Sequence, residues 1–496
     1  MTVTSSAAPG TGTGQDVLEE LRTSIGSSSP TQVARHPVNE AMIAHWCDAI
    51  GDGNPVYTDP SYATSSPHGG IVAPPAMLDV WGRGGLKHRR AASSPQARAI
   101  QAVEKHGFTS VVAVNSELEF RRYVRPGEVI QNVETLEDVS PEKATALGVG
   151  HFITTRHRFT TADGEHLGDL LFRILKFRPG SGRTASADGD AGNTAQRRVD
   201  DAPALRPRPG INRDNQYFWD GTRAHELRIQ RCNDCGHLYN PPTPRCWQCG
   251  SFSMGYVVAS GRGTLYSYAV PHYPVVPGFG DPRLVGLVEL EEGTRLVADL
   301  TGMRREDLRI GMPLEVGWLD SHPALVEGAT DSRGSITIPQ FRPAVPARRT
   351  DPMTRSELAG LTATQLPLWA VPITPTLIVS GAIATRDFQE VHHDRDLAQQ
   401  RGSADIFMNI NTTVGLMERY VTDWAGPTAQ VKALRVRLGA PNYPYDTMTF
   451  SGSVTAADPA TGQLTVSLQG NNKLGAHATG TVELEIPAGS AQEAGK

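Results

Sequence analysis

The sequence predicts an α+β protein in which two antiparallel sheets, each wrapped on a central helix, flank a small cysteine-bearing ribbon and a five-stranded barrel. Three observations carry this reading. The first and last sections of the 496-residue chain share one order of elements, with helical spacing and strands around similar Asp-bearing motifs. Four of the five cysteines fall within eighteen residues near the middle, and short alternating segments follow them. Two stretches where the composition shifts toward Pro, Ala, Arg and other small or polar residues separate the three sections, in keeping with about three domains for this length.

Composition narrows the class. With 39% hydrophobic and 20% charged residues the chain is globular rather than disordered. No apolar run approaches a membrane span, and the start, Met1-Thr2-Val3-Thr4-Ser5-Ser6, lacks the basic end and apolar core of a signal peptide. A cytoplasmic protein is expected, with no membrane partner. The net charge of -5 and the scattered basic residues give no reason to expect nucleic acid.

The first domain is placed at residues 15–180, after some fifteen residues of low apolar content. His36 to Ile50 has helical spacing, with Trp46, Ala49 and Ile50 continuing the apolar face. Gly51-Asp52-Gly53-Asn54-Pro55-Val56-Tyr57 follows, and the Gly/Arg/Ala-rich interval from Gly82 to Gly107 has no clear period and reads as loop. Strands are expected at Val111–Val114, Leu118–Phe120, Arg125–Ile130, His151–Thr160 and Leu170–Phe177, with Asp163-Gly164 as a hairpin turn. Residues 181–209 are a linker by composition.

The middle domain, 210–345, contains Cys232-Asn233-Asp234-Cys235 and Cys246-Trp247-Gln248-Cys249. Two Cys-x-x-Cys knuckles this close bring four thiolates into a tetrahedron around Zn²⁺, and four sulfurs close the shell against substrate, so the predicted zinc is structural. Strands at Gly263–Val270, Leu284–Leu290, Arg295–Leu300 and Leu314–Val316 suggest a small barrel. It shows neither the basic stripe nor the closely spaced aromatics of a nucleic-acid stacking platform. The Pro/Arg/Ala/Thr-rich stretch from Pro339 to about Leu366 holds the second linker, 346–366.

The last domain, 367–487, opens on the apolar run Leu377-Ile378-Val379-Ser380-Gly381, which reads as a strand. It leads through Thr385-Arg386-Asp387 to Val391-His392-His393-Asp394. On one helix Asp387 and His392 would stand about 140° apart, so they converge only if the segment turns. Apolar residues at Ile406, Ile410, Val414, Met417, Val421 and Trp424 give a helix with one buried face, ended by Gly426-Pro427. Strands at Val431–Leu438, Met448–Ala456, Leu464–Leu468 and Ala476–Ile486 complete it.

The Asp387-to-His392 segment resembles the active-site segment of the MaoC-like, or R-specific, enoyl-CoA hydratases, whose Asp and His hold one water against an unsaturated acyl thioester. The Asp52-to-Tyr57 segment resembles it too, but a phenol cannot shuttle protons at neutral pH as an imidazole can, so this copy is degenerate. The resemblance implies two hot-dog domains pairing sheet edge to sheet edge. The middle resembles the rubredoxin-like zinc ribbon and OB-fold of acyl-CoA-associated proteins. All three sections together are similar to the actinobacterial hydratases of steroid side-chain catabolism, here fused into one chain. That implies hydration of a steroid 17(20)-enoyl-CoA with a three-carbon side chain, a CoA thioester as substrate, and an OB domain that docks a thiolase-like aldolase of the sterol carrier protein x type.

Within that resemblance Asp387 is expected to act as the base, His392 to hold the same water and return a proton, and backbone amides around Met408 and Asn409 to receive the enolate oxygen at the helix start. Asp52, Asn54 and Tyr57 are expected to line substrate. A homodimer is expected. Two other readings stay open at this point: a hydratase for another bulky acyl-CoA, and a scaffold that binds acyl-CoA without catalysis.

Overall fold

The structure, a computed structural model, describes residues 19, 21, 24–86, 94–178, 181, 206–274, 278–279, 283–320 and 336–488. The first fifteen residues and nearly all of the 181–209 linker lie outside the described residues. Contacts divide the chain into two compact units, one of Met1–Ser186, Pro346–Pro367 and Val371–Lys496, the other of Ala187–Val345 and Leu368–Ala370.

In the first unit, helix α1 (Glu40–Ile50) starts where the Asn39 side chain accepts from the Met42 amide, and it stops at left-handed Gly51. It buries Ile43, Trp46, Cys47 and Ile50. The interval expected as loop holds a long helix, α2 (Pro95–Lys105), with Ser94 as its cap and Pro95 at its first position. Its inner face is made of small residues, Ala99, Ala102 and Val103, packed on Leu136, Ile153 and Ile174 of the sheet. Small residues leave little apolar periodicity, which is why the pattern hid this helix.

Strands β1 (Gln32–Val33), β2 (Ser110–Phe120), β3 (Gln131–Val139), β4 (Lys143–Ala144), β5 (Val149–Thr160) and β6 (His166–Phe177) belong to the first half. The second unit supplies helix α3 (Gln216–Arg223), the ribbon strands β7 (Leu227–Cys232), β8 (Leu238–Tyr239) and β9 (Met254–Ala259), and the barrel strands β10 (Arg262–Ala269), β11 (Val285–Leu290), β12 (Arg295–Leu300), β13 (Pro313–Leu319) and β14 (Ile338–Pro343). The barrel closes in the order β10-β11-β12-β14-β13 around buried Leu265, Val288, Leu314 and Phe341. The closing strand β14 falls at the start of the stretch read as linker. Its two prolines disguised it, yet Pro339, Phe341 and Pro343 alternate inward as strand residues do.

In the last section, β15 (Trp369–Ile373) precedes helix α4 (Pro375–Ala384), which replaces the strand expected at Leu377–Gly381. Thr374 caps it and Pro375 opens it, the signal that outweighs a short apolar run. The central helix α5 (Ile410–Ala425) begins four residues later than its apolar spacing suggested, because Asn409 is its cap. Thirteen of its sixteen residues are buried, each large apolar one contributing roughly 1.5–3 kcal/mol. Close packing fixes glycines on both neighbours: a Cβ at Gly381 of α4 would run into Thr412, and one at Gly415 of α5 would meet the Trp46 ring.

Strands β16 (Gln430–Leu438), β17 (Asp446–Asp458), β18 (Gln463–Asn472) and β19 (Gly475–Glu485) finish the second half. Both halves join one sheet in the order β1-β3-β5-β6-β2-β16-β19-β18-β17-β15, with β4 on β5. The seam is antiparallel β2 against β16, pairing Ser116 with Val436 and Leu118 with Leu434. Two hot-dog domains therefore pair edge to edge inside one chain. Among the described residues no helix is long and apolar enough to cross a membrane.

Candidate active site

Helix α4 ends in a turn that aims Asp387. Thr385 caps the helix, Arg386 adopts φ 53°, and the Asp387 amide bonds back to the Ala382 carbonyl at 2.9 Å. A left-handed arginine is strained, of order 1–3 kcal/mol, and persists where surrounding contacts hold it. Here Arg386 Nε donates to the Arg83 carbonyl at 3.2 Å. A single 3-10 turn, Glu390–His392, then swings the imidazole back, so that His392 Nε2 stands 3.6 Å from Asp387 Oδ2. Both side chains are buried. His393, the other candidate imidazole, points to the Phe388 carbonyl at 3.3 Å instead.

The state of His392 follows from its partners. Its Nδ1 lies 2.7 Å from the Phe407 carbonyl, which can only accept, so Nδ1 carries the hydrogen. Burial pushes the imidazole below its ordinary value of 6.5, against the opposing pull of Asp387 and the Phe407 carbonyl. At neutral pH the ring is therefore uncharged, with a bare Nε2 facing the carboxylate.

Asn409 is closer to the pair than sequence alone indicated. Its Nδ2 donates to Thr385 Oγ1 at 2.7 Å and to Asp387 Oδ2 at 3.3 Å, while its Oδ1 accepts from the Thr412 amide at 2.8 Å. The Met408 amide is already bonded to the Asn442 carbonyl at 3.0 Å. Among the described residues no protein acceptor takes the amides of Asn409, Ile410 or Asn411, so the free donors lie at the first turn of α5.

Three neighbours escaped the sequence reading. Gln389 Nε2 donates to Asp387 Oδ1 at 3.3 Å. Arg83, from the first half, brings Nη1 to 3.8 Å from Asp387 Oδ2. Asn411, its amide oxygen turned to Arg83, accepts from Nη1 and Nη2 at 3.1 and 2.6 Å. Gln389 could have been found as the amide two residues past the Asp, like Asn54 after Asp52. Arg83 carries no local signal, since 304 positions of chain separate it from Asp387.

The first half repeats the turn and changes the chemistry. Gly51, with φ 69°, precedes Asp52 as Arg386 precedes Asp387. Asp52 Oδ1 accepts from the Asn54 amide at 2.9 Å and pairs with Arg348 Nη2 at 3.2 Å. The Asn54 side chain caps the short helix Pro55–Thr58. Tyr57 donates its hydroxyl to Glu418 Oε1 at 3.3 Å, and the other Glu418 oxygen accepts from the Ala76 amide at 2.7 Å. Burial, and then the charge of Asp52, push Glu418 up to about 8. The Tyr57 phenol is likewise pushed far above its usual range by burial. Asp52, Asn54 and Tyr57 are thus all held by the chain's own groups.

In the second unit the four knuckle sulfurs lie within 4.8 Å of one another. Cys232 and Cys249 are 3.6 Å apart, Cys235 and Cys246 3.5 Å, far beyond a disulfide and close to the roughly 3.8 Å edge of a tetrahedron with ~2.3 Å Zn–S bonds. The Tyr239 hydroxyl at 2.9 Å and the Cys249 amide at 3.4 Å address the Cys246 sulfur. The donor set fits zinc. When bound, the metal closes the ribbon and leaves no open position for chemistry.

Sheet, helix and paired Asp and His define a hot-dog hydratase or dehydratase, carrying in addition a zinc ribbon and an OB-type barrel. Comparison with known proteins agrees. Residues 24–170 match the family described as FAS1-like, dehydratase domain region. Residues 219–255 match the ChsH2 rubredoxin-like zinc ribbon domain, and 256–319 the ChsH2 C-terminal OB-fold domain. The chain is 41% identical over 310 residues to the 3-oxo-4,17-pregnadiene-20-carboxyl-CoA hydratase alpha subunit of Mycobacterium tuberculosis, covering 62% of this chain and 96% of that protein. It is 61% identical over 112 residues to the beta subunit of the same name and organism, covering 23% of this chain and 85% of that one. It is 34% identical over 80 residues to the benzoylsuccinyl-CoA thiolase subunit BbsA of Thauera aromatica, 16% of this chain and 55% of that protein. A solved MaoC-like dehydratase shares the fold at 13% identity and a TM-score of 0.50, covering 94% of this chain and all of that one. The chain belongs to the MaoC-like enoyl-CoA hydratases.

Proposed function

We propose that the protein adds water to the 17(20) double bond of a steroid enoyl-CoA with a three-carbon side chain. The observation that carries the reaction is the Asp387–His392 pair, two proton acceptors 3.6 Å apart beside free helix-start amides. A water about 2.8 Å from each would donate one hydrogen to the carboxylate and the other to the bare Nε2. As its oxygen bonds to the β-carbon, one proton passes to the pair, with Asp387 as its base. The electron pair of the double bond moves onto the thioester oxygen, which the amides at the start of α5 receive. The proton then returns to the α-carbon, so the pair ends as it began. Proton transfer of this kind is worth about 10²–10⁴ in rate, and each oxyanion donor about 10²–10³. Because His392 starts without a proton on Nε2, the only proton it can return is the one the water released, handed on within the pair.

The names of the alpha- and beta-subunit relatives support the steroid substrate, and the ChsH2 zinc-ribbon and OB-fold matches at 219–319 support the reading of the middle domain. Asp52, Asn54 and Tyr57 enter this reading as the wall of the half that does not activate water. The thiolase-subunit relative supports docking of a thiolase-like aldolase that cleaves the hydrated product. A homodimer would be a further association of chains whose hot-dog halves are already paired, and a cytoplasmic location belongs to the same reading. Loss of the enoyl-thioester absorbance on adding protein tests the reaction, with steroid enoyl-CoA set against crotonyl-CoA. Preference for the short chain would remove the steroid assignment, and absence of turnover on both would leave an acyl-CoA-binding scaffold.

A further inference from the structure

We propose that Arg83, supplied by the half that has lost its own imidazole, is a positioning residue for the Asp387–His392 pair, fixing the carboxylate and the first turn of α5 together. The inference deepens the hydratase reading and rests on it for the identity of the reaction.

The geometry is that of a clamp. Arg83 follows the 3-10 turn Val80–Gly82 of the first half. Asp79 holds one edge of its guanidinium, accepting from Nε at 2.7 Å and from Nη2 at 2.5 Å. The opposite edge faces the second half, where Asn411 accepts from both Nη atoms and Asp387 Oδ2 lies 3.8 Å from Nη1. The Arg83 backbone takes part too, since its carbonyl receives Arg386 Nε and so steadies the left-handed residue that aims Asp387. One residue thus stands within ion-pair range of the carboxylate, holds the turn before it through its carbonyl, and holds the helix start through Asn411. A planar, permanently charged fork suits three such partners, and a lysine ammonium reproduces only the charge.

Electrostatics gives the clamp a second effect. The charged and titratable groups around the pair are Asp79 and Arg83 from the first half and Arg386, Asp387, His392 and His393 from the second. Arg83 is among the charges that disfavour protonation of His392. Asp79 offsets part of its charge but reaches only the far edge. The arrangement also gives the first half a reason to stay paired with the second, because without it Asp387 loses its cationic neighbour and Asn411 its donor.

The test reads His392 itself, independently of turnover. In full-length protein with ¹⁵N-labelled histidine, the His392 ring is assigned with His392→Gln and titrated by NMR in the parent, Arg83→Ala and Arg83→Lys. The expected result is a midpoint shifted upward in Arg83→Ala and restored in Arg83→Lys. In hydration assays Arg83→Ala should lose kcat 10- to 100-fold with KM changed less than threefold, and Arg83→Lys should recover part of kcat. Should Arg83→Ala fail to fold, Arg83→Lys against Arg83→Met reads the same contrast. An unmoved His392 midpoint on removing the charge overturns the inference, as does an Arg83→Ala enzyme with the parent's kcat and pH profile. A protein whose His392 midpoint shifts as expected while the parent hydrates no enoyl-CoA supports the electrostatic clamp and sinks the hydratase reading alone.

Discussion

His392 Nε2 and Asp387 Oδ2 face each other at 3.6 Å, inside a buried site and without a hydrogen bond between them. That gap is what a shared water needs, and the hydrogen on Nδ1, spoken for by Phe407, leaves Nε2 free to accept.

Asp387→Ala and His392→Ala should each lower kcat for hydration by about 10²–10⁴ while leaving the fold intact. The pH profile sharpens the expectation. The proposed step uses neutral His392, and burial holds that ring below 6.5, so the acid limb of kcat/KM should lie below 6.5. Rates on steroid enoyl-CoA from pH 4.5 to 8 measure it. A limb above 6.5 would contradict the protonation state assigned here.

Asn409 couples stability to chemistry, and two substitutions separate them. Asn409→Ala removes the cap of α5 and the donor to Asp387, costing about 0.5–2 kcal/mol for the cap and lowering kcat as well. Asn409→Asp keeps an acceptor for the Thr412 amide but sets a second carboxylate beside Asp387. It should retain most of the parent's thermal stability while losing activity like the alanine variant. Calorimetry alongside initial rates distinguishes the two effects.

Much of this was legible because it is local. The Asp and His spacing, the two cysteine knuckles and the period of α5 are written within short windows, and each marks an element the structure contains. What was not legible depends on tertiary context. Helix α2 buries mainly small residues, Ala99, Ala102 and Val103, against the sheet, and β14 hides behind Pro339 and Pro343. The run at Leu377–Gly381 suits a strand or a buried helix equally, and the Thr374 cap decides for the helix. Spacing brings Asn409 to the site for its amide, whereas in the fold its side chain meets Asp387. Arg83 could be connected to Asp387 only by folding.

Glu418 makes the packing of α5 against the first half pH-sensitive. Its folded value of about 8 stands above the ordinary 4.5, so the unfolded chain ionises first as pH rises. Stability from the neutral, buried form is whole below pH 4.5 and is lost progressively up to about 8. His477 has the opposite slope: burial lowers it to about 4, so stability is lost as pH falls from 6.5 toward 4. Denaturant midpoints should therefore decline on both sides of mildly acidic pH. Glu418→Gln, which keeps the shape but cannot ionise, should flatten the alkaline side alone; an unchanged slope would remove Glu418 as its cause.

The zinc ribbon and the Asp387–His392 site fall in different compact units, and this separates their fates. Four thiolates that close a tetrahedron can supply on the order of 10 kcal/mol toward folding a small module, so the ribbon should depend on its metal. The core continues from ribbon into barrel through Leu227, Ile229 and Ala259, so damage to the one should spread to the other. The Asp387–His392 pair draws on none of these residues. Chelation, or Cys232→Ser, should release about one zinc per chain, expose the second unit to proteolysis and abolish capture of a thiolase-like partner, while hydration of enoyl-CoA persists within about threefold. Metal analysis, limited proteolysis and the absorbance assay on one preparation read all of these together. A Cys232→Ser protein that keeps its metal and its protease resistance would refute the structural role of zinc, and loss of hydration in step with the metal would show that the chemistry leans on the ribbon after all.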